Sequence, residues 1–225
     1  MRLRPRLTMT AELVPSDLVV ADIGSDHAYL PVHLVRQGIA PRAIAADIET
    51  GPLQNAARAV GQAGLQDKIE LRQSDGFSRF AAHEAQCWVL AGMGGTLMVR
   101  LLDAAPWLQQ PGTVIVAQPM RRAHELRAWL VAHGFAIEQE RLCRDAGRLY
   151  IALRAVHDGQ PRVCPPGYAY YGELLHNNEP LAQEYLSREA KYVRVRMEAL
   201  RASGQNNNEL ALLEEVTHDF CARNL

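Results

Sequence analysis

Short apolar runs alternate with helix-period segments through the first two thirds of this sequence, and that alternation leaves few folds open. LVVADIG (18–24) is a continuous apolar run ending in Gly, as expected of a strand buried on both faces. YLPVHLVRQG (29–38) reads as a helix stopped by Gly38, AIAADI (43–48) as a second buried strand, and GPLQNAARAVGQAG (51–64) as a helix with Pro52 in its first turn. KIELRQSD (68–75), CWVLAG (87–92) and TVIVAQPM (113–120) supply three more strands. The segments 95–108 and 122–134 supply two more helices, the first with apolar residues at Leu97, Met98, Leu101, Leu102 and Ala105. Two alternating stretches around Asp145-Ala146-Gly147 close the series as a hairpin over 136–156. Strict β-α-β order predicts an α/β fold: a Rossmann-like, doubly wound, mostly parallel sheet with an antiparallel edge hairpin. The order of the strands does not follow from the pattern.

The composition changes after residue 156. HDGQPRVCPPG (157–167) is rich in Pro and Gly and reads as a linker, and a helical pattern runs from about Tyr171 to Ala202. Leu186, Ala190, Val193, Met197 and Leu200 recur at 4-3-4-3 spacing, a coiled-coil-like seam. SGQNNN (203–208) interrupts it, and Leu210, Leu213 and Phe220 mark a second, shorter helix. The 225 residues therefore divide into a sheet domain over 1–156 and a C-terminal antiparallel helical hairpin over 157–225. The hairpin serves either packing and dimerisation or substrate binding.

An apolar fraction of 48% supports a full core, and no run is long enough to span a membrane. The N-terminus lacks the apolar stretch of a signal peptide. The four cysteines, at 87, 143, 164 and 221, form no CxxC pair, which argues against a metal site or disulfide framework and for a cytoplasmic chain. A net charge of −1 does not mark a nucleic-acid binder, although Arg2, Arg4 and Arg6 crowd the first eight residues with no acid among them.

A doubly wound sheet binds its ligand at the carboxyl ends of the strands, and the residues of interest fall there. Asp22 and Gly24 end the first strand, Gly24 permitting a tight turn in which Ser25 and Asp26 meet a ligand with backbone N–H groups and a carboxylate. His27, Tyr29 and Leu30 carry the same turn into the helix. A dinucleotide pyrophosphate would want several glycines and no acid here. An acid instead favours a ligand with a cationic ammonium group, as in the methionine end of S-adenosylmethionine. Helix capping by Ser25 or Asp26 is the competing reading. Asp47, followed by Ile48, ends the second strand where an acid takes ribose hydroxyls; Glu49 lies past the strand. Asp75-Gly76 ends the third strand and offers an acceptor to an adenine amino group. The fourth strand ends in AGMGG (91–95). There Ala91 and Gly92 let the backbone approach the cofactor, and Gly92, Met93 and Gly94 stand at the reacting centre. Gln118, at the end of the fifth strand, has a side chain suited to a base edge.

Taken in order, these residues resemble the bacterial tRNA (adenine(22)-N(1))-methyltransferase family. The resemblance rests on Arg6-Leu7, ADIGSDHAYLP (21–31), GP at 51–52, DG at 75–76, AGMGG and QP at 118–119, with the helical appendage following. Met120 departs from the family, which has Asn at that position. The resemblance implies the cofactor S-adenosyl-L-methionine, tRNA as partner, and methylation of adenine N1, with Asp26 stabilising the cationic product ring. It also implies phosphate contacts from Arg2, Arg4, Arg6, Arg121, Arg122 and Arg127. The sequence does not fix the oligomeric state, and a monomer is slightly favoured. The alternatives are a same-fold methyltransferase acting on another RNA base or a small molecule, and a nucleotide-binding module without catalysis. A nicotinamide oxidoreductase is disfavoured by the missing phosphate-loop glycines.

Overall fold

The computed structural model describes residues 3–176, 179–204 and 208–223. Its seven strands are β1 (Val20–Ile23), β2 (Ala43–Asp47), β3 (Ile69–Gln73), β4 (Cys87–Met93), β5 (Val114–Pro119), β6 (Phe135–Asp145) and β7 (Arg148–His157). They form one sheet in the order β3-β2-β1-β4-β5-β7-β6. The pairs β1–β2, β2–β3, β1–β4 and β4–β5 are parallel, while β7 runs antiparallel to both β5 and β6. The hairpin thus enters by its second strand, β7 pairing with β5 and β6 forming the edge. The chain reverses direction across the sheet between β1 and β4, which is where such a fold opens a crevice.

Helices α2 (Tyr29–Arg36) and α3 (Thr50–Ala63) cover one face of the sheet, and α4 (Gly95–Asp103) and α5 (Ala123–Ala132) cover the other. The two faces have separate cores. Leu30, Leu34 and Val60 pack against Val20, Ala45 and Val89 on the first face. Met98, Leu102, Leu126 and Leu130 pack against Ile23, Leu90 and Ile115 on the second. This strand alternation, with both faces buried, explains the unbroken apolar runs in the sequence. Edge-to-face contacts among Phe77, Phe80, Trp88 and Trp107 extend the second core, with ring centroids 5.2–6.4 Å apart.

Three elements depart from the sequence reading. An additional helix, α1 (Pro5–Glu12), starts the chain and lies over β5, β6 and β7, burying Met9 and Leu13; Pro5 at its first turn suits a helix start. The helix expected over 95–108 stops at Asp103 and resumes as a single 3-10 turn at Pro106–Leu108, because Pro106 has no N–H to continue the ladder. The helical pattern expected from Tyr171 to Ala202 divides into α6 (Pro166–Tyr171), a 3-10 turn (Gly172–Leu175) and α7 (Ala182–Ala202), followed by α8 (Asn208–Ala222).

The expected seam is present. Leu186, Val193, Met197 and Leu200 of α7 are buried with Leu210, Leu213, Val216 and Phe220 of α8, and Ala190 is partly buried beside them. The same cluster takes in Leu142, Leu149 and Ile151 of the β6–β7 hairpin, so the helices are seated on the sheet's edge.

A buried ionic clasp reinforces this seating and corrects one expectation. Arg127 was expected to meet RNA phosphate, but it is fully buried. Its Nε donates to Glu140 Oε1 at 2.7 Å, and its Nη1 donates to the carbonyls of Ala169 and Tyr170 at 2.9 and 3.0 Å. Glu140 Oε2 accepts from the Glu173 N–H at 2.8 Å. Burial lowers the Arg127 pKa, and the Glu140 carboxylate more than offsets it, so the guanidinium stays charged inside the protein. A periodicity argument places Arg127 on a helix after β5 without revealing that it points inward.

Candidate active site

The crevice at the chain reversal is built from the turn after β1. Its backbone is anchored to β2: the N–H groups of Gly24 and Ser25 both donate to the Ala46 carbonyl, at 2.9 and 2.8 Å. Asp47, at the end of β2, braces the next residues. Its Oδ2 accepts from the Asp26 N–H at 3.1 Å, and its Oδ1 accepts from the Glu49 N–H at 3.0 Å. Held this way, Asp26 (φ 50°) and Ala28 (φ 53°) adopt left-handed conformations that non-glycine residues seldom take. Strain of this kind costs on the order of 1–3 kcal/mol per residue and persists where the surroundings impose it.

Asp22 lies beneath the turn and is buried, accepting a 2.6 Å hydrogen bond from Ser25 Oγ. No cation lies within salt-bridge distance of it among the described residues. Burial pushes its pKa from 3.8 up to about 6; the Ser25 hydroxyl pulls it partly back, and the nearby Asp47 carboxylate adds to the rise. Asp26 points outward with its side chain 67% exposed, 3.5 Å from the His27 ring nitrogen.

The opposite wall is the end of β4. Ala91 is level with Gln118 and Met93 with Pro119, so Gly92 is the extra residue of a bulge, and its φ of 82° suits glycine. The chain leaving β4 is tied to the segment just after β5, as the Met120 N–H donates to the Met93 carbonyl and the Gly95 N–H to the Arg121 carbonyl, both at 2.9 Å. Between the walls lies a cavity of about 680 Å³ bordered by Asp22, Gly24, Ser25 and Asp26 on one side and by Ala91 and Gly92 on the other. That volume lies within the roughly 300–1,000 Å³ of small-molecule sites.

His27, Tyr29 and Leu30 also line this cavity, and the rings of His27 and Tyr29 stack 5.0 Å apart. These two residues also border a second groove of about 460 Å³ between α2 and α3, with Arg36, Asn55 and Arg58. The structure does not bring every expected residue to the cavity wall. Asp47 acts as the brace just described, Ile48 is exposed, Asp75 is exposed at the end of β3, and Gly76 packs near Leu101. They follow the same carboxyl edge of the sheet, but none lines the cavity.

The expected RNA contacts scatter. Arg2 lies outside the described residues. Arg6, from α1, and Arg4, just before it, border the cavity. Arg121 and Arg122 are exposed, with Arg122 paired to Glu125 at 2.6 Å. Gln118 is corrected outright: it is completely buried, and its amide donates to the Pro119 carbonyl at 3.2 Å, so it is not presented to a base. Its place at a strand end suggested exposure, but the side chain points to the face that α1 covers. Sequence reasoning missed α1 as a wall of the site, as it missed Asp145, the carboxylate paired with Arg6 at 3.7 Å. Pro5 as a helix-start residue was the one available signal.

The cavity has an acid-bearing turn on one strand and a glycine bulge on the next, with no pyrophosphate loop. Residues 3–153 match the family described as a methyltransferase domain. The chain belongs to that family. This methyltransferase is 37% identical over 155 residues to the tRNA (adenine(22)-N(1))-methyltransferase of Bacillus subtilis (strain 168). The match takes in 69% of this chain and 65% of that relative, so it spans just under two thirds of the relative's length. Among solved structures, the B. subtilis tRNA methyltransferase TrmK aligns with a TM-score of 0.80 at 29% identity, covering 96% of this chain and 99% of that one. A Streptococcus pneumoniae protein crystallised with S-adenosyl-L-methionine, described as a candidate tRNA methyltransferase, aligns with a TM-score of 0.78 at 30% identity, covering 96% of this chain and 100% of that one. Among the described residues of the methyltransferase, no group of three or more His, Cys, Asp or Glu is arranged to hold a metal, and no helix is long and apolar enough to cross a membrane.

Proposed function

We propose that this chain is an S-adenosyl-L-methionine-dependent methyltransferase that methylates N1 of an adenine, at position 22, in tRNA. The cofactor half of the reading is carried by one observation. Asp22 is a buried carboxyl without a cationic partner, at the wall of a cavity whose floor is glycine backbone. It suits an ammonium-bearing nucleoside, as the relative crystallised with that cofactor supports. The substrate half rests on the family resemblance and on the B. subtilis relatives.

When bound, the cofactor supplies an electrophilic methyl group on a sulfonium, displaced in line by a nitrogen lone pair. Adenine N1 carries an in-plane lone pair at neutral pH, so the protein has no proton to remove before attack. Its work is alignment and exclusion of water. Asp22 and Ser25 hold the ammonium end, Gly24 and Ala91 admit the nucleoside, and in this reading the ribose and adenine extend beyond the cavity along the strand edge toward Asp47 and Asp75. Gly92, Met93 and Gly94 present backbone at the reacting centre. Methylation leaves the target ring cationic, and in this reading the exposed Asp26, which borders the cavity, is the carboxylate that stabilises that charge. A base paired in the tRNA must first be exposed, at a cost of a few kcal/mol. Arg121 and Arg122, beyond the β5 end, are the phosphate contacts in this reading.

The chain works as two units, 1–156 carrying the cofactor and 157–225 packed against its edge, as a cytoplasmic monomer. Incubation with labelled S-adenosyl-L-methionine and unmodified tRNA, followed by nucleoside mapping, tests the proposal. 1-Methyladenosine at position 22 is the expected product; label on another base or none in tRNA overturns the substrate assignment.

A further inference from the structure

The cavity has opposite charges on its two sides. Asp22 and Asp26 lie on the β1 turn, while Arg6, from α1, and Arg4, just before it, border the other side. Arg6 is the better placed of the two cations. Its side chain is only 26% exposed, and its Nε lies 3.7 Å from Asp145 Oδ2 at the tip of the β6–β7 hairpin. Its Nη1 is 3.6 Å from the Met120 sulfur, and a Cβ on Gly92 would lie 3.3 Å from that nitrogen. The guanidinium is therefore laid against the Gly92 bulge, with its Nη2 unpartnered among the described residues.

An arginine fixed at a half-buried wall next to the β4 bulge is a poor hook for a phosphate on a large external partner. It is a good one for an anion lying inside the cavity. A carboxylate presents two oxygens to the guanidinium fork. An α-amino acid headgroup carries an ammonium and a carboxylate on one carbon, and this cavity offers an acid and an arginine on facing walls.

We propose that Arg6 is a cofactor-binding residue that holds the carboxylate of the methionine end of S-adenosyl-L-methionine, with Asp145 as its positioning residue. This rests on the cofactor assignment above. Asp145 orients the guanidinium from the hairpin tip, so the N-terminal helix and the sheet's edge hairpin together form the amino-acid end of the site.

The test compares two ligands by calorimetry, S-adenosyl-L-methionine and its decarboxylated analogue, which keeps the ammonium and sulfonium. Binding of the intact cofactor to the unmodified protein checks the underlying cofactor assignment separately; its absence refutes that assignment and this one with it. With binding established, Arg6→Ala is expected to weaken the intact cofactor about 10- to 100-fold, the range of a charge-assisted hydrogen bond. The decarboxylated analogue is expected to bind both proteins alike. An equal loss for both ligands overturns the proposal. So does an unchanged cofactor affinity with weakened tRNA binding, which would make the anion an RNA phosphate. Arg6→Gln, which keeps the carbon stem as far as Cδ while losing the charged guanidinium, must reproduce the ligand-selective loss even if the Ala variant folds poorly. Asp145→Asn is expected to give a smaller loss, again confined to the carboxylate-bearing ligand.

Discussion

Replacing Asp22 by Asn should make the cofactor-free protein more stable at neutral pH while weakening the cofactor it binds. The carboxyl titrates near 3.8 when the chain is unfolded and at about 6 when it is folded. The folded state therefore holds its proton more tightly than the unfolded state, and stability falls as pH rises through that window. Below about pH 3 both states are protonated, and Asp22 carries no electrostatic penalty. Above about pH 6 the ionised group is buried, and a shift of about two pH units at 1.36 kcal/mol each costs about 3 kcal/mol. Asn has nearly the same shape, accepts the same hydrogen bond from Ser25 and carries no charge. The difference in unfolding free energy between variant and parent should move by about 3 kcal/mol in the variant's favour between about pH 3 and pH 7.5. Urea denaturation across that range measures it, and other titrating groups cancel in the difference. A pH-independent difference would refute the reasoning, because it would mean that Asp22 is solvated or already paired. Binding should show the reverse linkage. An ammonium beside Asp22 favours the carboxylate, so cofactor affinity in the parent should rise between about pH 5 and pH 7 with release of a proton, and the Asn variant should lose that rise.

Arg127→Met leaves Glu140 buried and unpaired and is expected to cost about 3–5 kcal/mol in thermal or urea unfolding. The double change Arg127→Met with Glu140→Leu should recover a large part of that loss; equal destabilisation by single and double variants would deny the clasp. Asp47→Ala is expected to weaken cofactor binding measurably by calorimetry, since it removes the brace on Asp26 along with any ribose contact, while the domain stays folded by circular dichroism. An unchanged affinity would remove Asp47 from both roles.

The strands, the crossover helices and the edge hairpin were legible because each is a local periodicity. A strand buried on both faces must be apolar throughout, and the five runs read as strands sit where β1 to β5 form. The turn opened by Gly24 was legible for a similar reason, since glycine tolerates its positive φ, whereas the bulge at Gly92 showed in the sequence only as glycine-rich backbone and the left-handed Asp26 and Ala28 gave no signal. The breaks were harder. Pro106 stopping α4 and Gly172 ending α6 are local signals, but the surrounding helical periodicity outweighed them.

The sequence alone therefore determined the class of fold, the carboxyl edge as the ligand side, and an acid-bearing turn suited to a sulfonium nucleoside. Only the tertiary structure decided which charges line the cavity and which face the core. Arg6 and Arg127 are alike in composition and charge, yet one lies on the wall of the cavity and the other, nothing of it exposed, clasps Glu140. Gln118 turned inward beneath α1 for the same reason. The direction of a side chain depends on what packs over it, and α1, β6 and α6 come from parts of the chain far apart in sequence. Periodicity reports the face of one element at a time, and the partner covering that face is supplied only when the elements meet.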